Sequence, residues 1–425
     1  ATVSAVLSET VHEPAPLLFD LTALQKEANR KYGLTASETL EIAQGLYEKQ
    51  FITYPRTGSK YVTQDVWEGI PGLIRGLQHD PELGKHLTKI KFGRLNRHIV
   101  NEGQVTDHHG LLITEKLPSA LSVKEDIIYK MITLRLLESV SEACTKEVSR
   151  ITLQVLHYDF GLTASEVTEP GWRSIQNTFD EDTNEERNVP ELKEGDRVSI
   201  TSSTIKQKQH AGPQLYTEAS LLSAMEQIIS KNCTVASKQD LKQVGLGTPA
   251  TRASVIEGLF ERQYIAREGK ALIPTSKGLA VYDIVVNKRI GSAAMTADWE
   301  IALAGIEQGT FSSEKFQSEI EAYTKRITEE LLKAPVKNEA VPELLCPKCG
   351  EHHLHISDKV VKCPAEQCGW LQFRKVCGTI LPAAEIENLV KNRTTNVLKG
   401  MVSKSGKKFN ARLILDDEHQ VAFAF

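Results

Sequence analysis

Residues 51–60 read FITYPRTGSK, so Tyr54 is followed at once by Pro55, Arg56, Thr57 and Ser59. A phenol with an unperturbed pKa of about 10 attacks a phosphodiester only if its proton is accepted and the new negative charge is spread. Arg56 is a fork of donors shaped for phosphate oxygens, and Thr57 and Ser59 add hydroxyl donors. A tyrosine and an arginine also share turns without doing chemistry, and these residues alone leave both readings open. A second group is VTDHHGLLIT (105–114), where His108 and His109 lie beside Asp107. Such histidines bind metal, move protons or sit satisfied in a core.

Two further groups carry a ligand pattern. Cys346-x2-Cys349-x13-Cys363-x4-Cys368 offers two close thiol pairs a short loop apart, the spacing of a closed structural zinc site. The alternative is a reduced quartet that has lost its metal, and Cys377 is a fifth thiol nearby. His352, His353 and His355 fall in the intervening loop and read as exposed. In QVGLGTPATRAS (243–254), Gly245 and Gly247 precede Thr248, which fits a helix N-cap with Pro249 at the first helical position. Thr251, Arg252 and Ser254 then fall on the first turn, where free N–H groups attract phosphate; a capped helix without a ligand explains the same residues.

The elements that must position these groups follow from periodicity and caps. Residues 20–148 read as mostly helical. Thr35 and Glu38 form a capping box before Leu40, Ala43, Leu46 and Tyr47 at helical spacing, Phe51–Thr53 reads as a short strand, and a long helix covers 124–144. Alternation in RITLQVLHYDF and again in DRVSITSSTIKQKQ predicts antiparallel strands within 149–210, on either side of an acidic loop at 179–196. From 215 to 335 the pattern is helical with one hairpin around Glu268-Gly269-Lys270, a helix–hairpin–helix order resembling a winged helix. A Pro- and Glu-containing break at 334–345 precedes the Cys cluster, and LKGMVSKSGKKFNARLIL after it reads as a basic hairpin with Phe409 interleaved.

Composition bounds these readings. The chain has 425 residues, 40% of them hydrophobic, and a formal net charge of −4, which excludes a uniformly basic nucleic-acid binder. The average conceals patches: Lys85, Lys89, Lys91, Arg94 and Arg97 occur with no acid between Gly84 and Asn101. No apolar run approaches the roughly 18 residues of a membrane span. Seven cysteines, four of them clustered, suit a reducing cytoplasm with a metal site.

FITYPRTGSKY, TDHHGLLIT, TEPGWRSI (168–175), QLYTEASLLSAME (214–226), GLGTPATRASVIEGLFERQYI and MTADWE (295–300) occur in the order seen in type IA DNA topoisomerases. The chain most resembles the topoisomerase III branch carried by bacteria and their mobile elements, and the resemblance runs from about Pro14 to the C-terminus. It implies a multidomain α+β fold, a fragment of the family's toroid with a C-terminal zinc ribbon. Residues 1–19 would end one arm of domain II, and 20–148 would form domain III with the nucleophile. Residues 149–214 would be the returning β arm, 215–335 the single-strand-binding domain IV, and 342–425 the zinc-ribbon and basic module.

By the same resemblance, Tyr54 matches the nucleophile that forms a 5′-phosphotyrosine. Arg56 and His108 match the residues that hold the scissile phosphate. The helix start carrying Gly247, Thr248, Thr251, Arg252 and Ser254 matches the part of the family that grips single-stranded DNA, Thr57 and Ser59 stand as DNA-binding candidates by their hydroxyls, and the four cysteines match Zn2+ ligands. The implied partner is single-stranded DNA, met by a monomer in the bacterial cytoplasm, at the nucleoid. No membrane is involved and no ATP is used, in keeping with the lack of a G-x-x-x-x-G-K-[ST] loop.

Three positions depart from the family pattern: Gly58 replaces an aspartate, Gly110 an alanine and Ile113 a proline, the last two read as tolerable loop variation. Nothing matches the family's TOPRIM domain, whose acidic cluster binds Mg2+; the acids of DEDTNEE (180–186) sit in a hydrophilic loop and are a decoy. The expectation is therefore a C-terminal portion that binds single-stranded DNA but is incomplete for catalysis. The alternatives are a non-catalytic single-strand-binding protein on this scaffold, and a winged-helix protein with a zinc ribbon, which leaves 20–148 without a purpose.

Overall fold

A computed structural model describes residues 1–425 apart from 106, 179–191, 206, 208–211, 233–244, 335–343, 358, 404–405 and 425, and apart from the side chains of 228–232. The acidic stretch 180–186 lies outside the described residues, as does most of the break at 334–345. Two compact units make up the chain, Ala1–Glu330 and Leu331–Phe425.

In the first unit, helix α1 (Leu21–Tyr32) starts at Asp20, whose carboxylate accepts from the Ala23 N–H at 2.6 Å. It ends where Gly33 turns left-handed at φ 71°. Helix α2 (Ala36–Glu48) opens with the anticipated capping box: the Glu38 N–H donates to the Thr35 hydroxyl at 3.0 Å, and the Thr35 N–H to the Glu38 carboxylate at 2.9 Å. With α3 (Gln64–Gly76) and α4 (Val123–Ser139) they enclose one core that includes Leu18, Leu24, Leu46, Ile52, Ile70, Ile74, Ile128 and Leu136. Full burial of each such side chain contributes roughly 1.5–3 kcal/mol. The helix expected over 124–144 stops at Ser139, because Cys144 is taken into a strand opposite Glu13. Tyr47, expected in the apolar stripe of α2, is 38% exposed.

Strands β1 (Thr2–Glu13), β2 (Cys144–Val155) and β3 (Tyr158–Glu169) form an antiparallel sheet in that order. Twelve residues at 3.3–3.4 Å each extend about 40 Å, and both faces are largely solvated, so the sheet is an arm rather than a core layer. At its base the Glu13 carboxylate takes two bonds from Arg173, both at 3.0 Å, and the ammonium of Lys146 at 3.1 Å. Burial pushes the Glu13 carboxyl up, and Arg173 and Lys146 more than reverse this, leaving it below the ordinary value. The expected strand over 196–209 does not form among its described residues. Arg197 makes one bridge to Thr2, and the Ser/Thr-rich run after it is exposed, with Ile205 fully in solvent, so burial rewards no pairing there.

The rest of the unit keeps the expected helix–hairpin–helix order: α5 (Glu218–Asn232), α6 (Pro249–Glu261), hairpin β4 (Ile265–Glu268) and β5 (Ala271–Pro274), then α7 (Ser276–Val285), α8 (Ala293–Glu307) and α9 (Ser313–Leu332). Ala36, Leu222, Met225, Ala253 and Ile256 pack α2, α5 and α6 together. Buried Glu218 accepts from the Ala36 N–H at 2.8 Å and from Arg267 at 2.6 Å, which seats α5 on the start of α2.

The second unit builds a sheet from β6 (His355–Ile356), β7 (Val360–Lys362) and β8 (Leu371–Phe373). The pair β9 (Lys375–Val376) and β10 (Thr379–Ile380) follows, then helix α10 (Ala383–Asn392) and a sheet of β11 (Leu398–Val402), β12 (Lys408–Leu415) and β13 (Val421–Ala424). Its core includes Leu354, Val361, Trp370, Ile386, Met401 and Leu413. The basic hairpin is present as β11–β12, but Phe409 is half-buried and packs edge-on against Phe423 at 5.8 Å. Among the described residues no helix is long and apolar enough to cross a membrane.

Candidate active site and metal centre

Tyr54 is delivered by buried neighbours on its N-terminal side. Phe51 and Ile52 are buried, and Ile52 forms a single antiparallel bridge with Ile113. The Thr53 N–H donates to the Leu112 carbonyl at 2.9 Å, and the Leu112 N–H returns to the Thr53 hydroxyl at 3.0 Å. With the Thr114 N–H donating to the Phe51 carbonyl at 3.1 Å, this short pairing stands where a strand is expected over Phe51–Thr53. Tyr54 then emerges half-buried, edge-on to Tyr47 with ring centroids 5.3 Å apart, and 4.6 Å from the His108 ring at 53°. Arg56 is exposed and makes no hydrogen bond or ion pair among the described residues, and His108 is exposed beside the phenol. The Tyr54 phenol and the His108 imidazole therefore meet ring to ring, and exposed Arg56 follows two residues after the phenol. Tyr47, which the spacing of α2 assigned to the core, supports the Tyr54 ring instead.

Thr57 and Ser59 point the other way. They are 2% and 4% exposed, and a hydroxyl has a single proton to donate. The Thr57 hydroxyl donates to the His108 carbonyl at 3.0 Å and accepts from the Ser59 N–H at 3.1 Å. The Ser59 hydroxyl donates to the Gln104 carbonyl at 2.8 Å and accepts from the Tyr61 N–H at 3.1 Å. Both protons are committed inside the protein, which differs from the phosphate-donor role the sequence suggested. Gly110 closes the same seam: its N–H donates to the Tyr61 carbonyl at 2.8 Å, and a Cβ there would lie 2.9 Å from Leu18 Cβ and 3.2 Å from the Lys60 carbonyl carbon. An alanine is thus not a neutral alternative at this position.

The first turn of α6 adjoins the turn after Tyr54, since a Cβ on Gly58 would sit 3.4 Å from Pro249 Cγ. Gly247 is left-handed at φ 69°, and Thr248, Thr251 and Ser254 are exposed. The Thr251 hydroxyl accepts from the Thr248 N–H at 2.9 Å. Arg252, grouped with them by sequence, is 5% exposed. It donates to the Thr22 hydroxyl at 3.0 Å and the Leu246 carbonyl at 3.3 Å, and lies 3.6 Å from Glu226. Burial lowers its pKa, and Glu226 and Asp20 partly restore it. In this conformation Arg252 ties α6 to α1 and α5 rather than facing solvent.

In the second unit the Cys346, Cys349, Cys363 and Cys368 sulfurs all lie within 4.8 Å of one another. Cys346 and Cys368 are 3.6 Å apart, and Cys349 and Cys363 3.8 Å. A tetrahedral metal–sulfur distance of about 2.3 Å gives sulfur–sulfur edges of about 3.8 Å, so the quartet fits one shared ion. Gly350 and Gly369, each directly after the second cysteine of a pair, are left-handed at φ 69° and 63° and turn the two knuckles. Burial pushes the Cys346 thiol up to about 12, while the Glu351 N–H and the His352 ring draw Cys349 down to about 6. His352 Nδ1 is 3.7 Å from Cys349 Sγ, a partner that the exposed-loop reading of this histidine did not anticipate.

Residues 1–318 match the family model described as DNA topoisomerase, and 367–425 match the one described as C-terminal repeat of topoisomerase. The chain belongs to the type IA DNA topoisomerase family. DNA topoisomerase 3 of Bacillus licheniformis is 33% identical over 376 residues, covering 84% of this chain and 51% of the relative. The Bacillus subtilis protein of the same name is 31% identical over 386 residues, covering 86% of this chain and 53% of the relative. The chain thus spans about half the length of the curated relatives it matches. The fold resembles full-length topoisomerase I from Thermotoga maritima with a TM-score of 0.61 at 24% identity, over 89% of this chain and 60% of that one. Within the topoisomerase family model fall Tyr54, Arg56, His108 and the α6 turn, whereas the repeat model begins just before Cys368 and leaves the other three cysteines outside.

Proposed function

We propose that this chain carries the strand-cleaving half of a DNA topoisomerase 3-like enzyme, with Tyr54 as its nucleophile. The observation that supports the reading most is the 4.6 Å approach of the Tyr54 and His108 rings, with exposed Arg56 two residues after the phenol. The Tyr54 oxygen attacks a backbone phosphorus of single-stranded DNA, forming a P–O(Tyr) bond and breaking the bond to the 3′ oxygen, which leaves with a proton. Arg56 neutralises the phosphate oxygens as charge develops, and His108 exchanges the proton. Reversal reseals the strand, and because one phosphodiester replaces another no ATP is required. The exposed Thr248, Thr251 and Ser254 on the adjoining α6 turn contact the backbone next to the cleaved phosphate. The Cys quartet holds Zn2+ as a closed structural site, which supplies cross-linking and no reaction chemistry. No trio of acidic side chains among the described residues lies close enough to share an ion. The described residues therefore do not fit Mg2+.

Mg2+ chemistry belongs in this reading to the part of the relatives that the chain does not span. This chain alone binds single-stranded DNA, with affinity falling steeply as salt rises, and does not relax plasmid. Fluorescence anisotropy with an oligonucleotide and a plasmid assay with Mg2+ test both statements. Relaxation by the chain alone, abolished in Tyr54→Phe, contradicts the division of labour.

A further inference from the structure

We propose that Thr57 is a positioning residue whose hydroxyl holds His108 against Tyr54; its catalytic consequence rests on the reading of Tyr54 as nucleophile, its geometry does not. Tyr54 and His108 stand on separate segments, and Thr57 bonds the His108 carbonyl across 51 positions of sequence. The His108 ring makes no hydrogen bond among the described residues, so its place beside the phenol follows from its own backbone. Besides the Thr53–Leu112 pair ahead of Tyr54, three bonds fasten that backbone to the residues after it. The Ser59 hydroxyl takes the Gln104 carbonyl at 2.8 Å, the Thr57 hydroxyl takes the His108 carbonyl at 3.0 Å, and the Gly110 N–H reaches the Tyr61 carbonyl at 2.8 Å. Of the three, only the Thr57 bond ends on His108 itself. It is also the one made from the residue three places after the nucleophile, so it couples the two functional groups through the shortest covalent path.

Burial makes this link directional. Thr57 is 2% exposed, so water does not compete for the proton it donates, and the Ser59 N–H it accepts at 3.1 Å orients the hydroxyl toward the carbonyl. Valine has the same shape but can neither donate nor accept; serine can do both. The pair Thr57→Val and Thr57→Ser therefore separates the hydrogen bond from packing.

The test is the histidine Cε1–Hε1 NMR spectrum of the whole chain. Tyr54→Leu identifies the His108 signal and marks its position without the ring current of the phenol. Thr57→Val is expected to move the signal most of the way to that mark, and Thr57→Ser to leave it near the wild-type position. A wild-type His108 signal in folded Thr57→Val overturns the proposal. Should Thr57→Val fail to fold, Thr57→Ala removes the same hydroxyl without adding bulk: a His108 signal displaced toward the Tyr54→Leu mark then supports the proposal, and an unmoved one overturns it. In the chain joined to a Mg2+-holding upstream half from a relative, covalent attachment of an oligonucleotide should fall roughly tenfold to a hundredfold in Thr57→Val and recover in Thr57→Ser. If Tyr54→Phe leaves attachment unchanged, the nucleophile reading fails, while the His108 signal still decides on the positioning.

Discussion

Gly110→Ala should be costly here, although alanine is the residue the family pattern expects. The added Cβ would lie 2.9 Å from Leu18 Cβ, 3.1 Å from Leu18 Cδ1 and 3.2 Å from the Lys60 carbonyl carbon. Leu18 is 1% exposed in the core, and Lys60 is backbone, so neither neighbour can swing aside. The strain must move the 108–111 segment, whose Gly110 and Leu111 N–H groups bond Tyr61 and Phe19 at 2.8 Å each. Overpacking of this kind costs about 1–3 kcal/mol. Shrinking the neighbour with Leu18→Ala removes only the Cδ1 contact, because the Cβ contact persists. In a double-mutant cycle the alanine at 110 should thus be partly relieved, with a coupling of about 0.5–1 kcal/mol. Equilibrium urea unfolding of the four proteins measures both quantities. A Gly110→Ala protein within about 0.5 kcal/mol of wild type would refute the claim that Leu18 and Lys60 enforce glycine.

Other perturbations reach Arg252, Asp20 and the Cys quartet. Arg252→Ala should destabilise the first unit by about 2–3 kcal/mol, read by urea unfolding, because it leaves Thr22 and Leu246 without their donor and Glu226 with Lys26 at 2.8 Å as its remaining cation. Asp20, the cap of α1, is sealed beside Lys60 at 3.5 Å, and burial pushes its carboxyl above the ordinary value of 3.8 despite the pull of Lys60 and the Ala23 N–H. The folded state then holds the proton more tightly than the unfolded chain, so this group's contribution to stability falls as pH rises from about 4 through the raised folded value. Asp20→Asn keeps an oxygen for the cap and should remove that slope from unfolding measured across the window. Loading with Zn2+ followed by chelation, or Cys346→Ser, should disorder the second unit, read as displaced Trp370 indole and His355 signals in the NMR spectrum of the whole chain.

Much of this organisation was legible in the residues. The Thr35–Glu38 capping box, the Thr248-Pro249 helix start and the Glu268-Gly269-Lys270 hairpin are local signals, and each formed where its chemistry indicated. The Cys quartet was equally readable, because its two close pairs bring four sulfurs within 4.8 Å of one another. What the sequence hid was direction. Arg252 and the hydroxyls of Thr57 and Ser59 look like phosphate donors by type, and only tertiary packing shows them turned to buried partners. Tyr47 follows the apolar period of α2 yet faces Tyr54, since the helix ends beside the Tyr54 turn and its last stripe residue has no core left to enter. The polar run after Arg197 alternates like a strand, but alternation without a buried face does not recruit a partner.

Whether Tyr54 takes the phosphate is the question on which the mechanism turns. The direct measurement is mass spectrometry of the protein trapped with a single-stranded oligonucleotide, using the chain joined to a Mg2+-holding upstream half. The expected result is a nucleotide adduct on the peptide containing Tyr54, attached through a 5′ phosphate and absent in Tyr54→Phe. An adduct on another residue, or one that survives Tyr54→Phe, would contradict it.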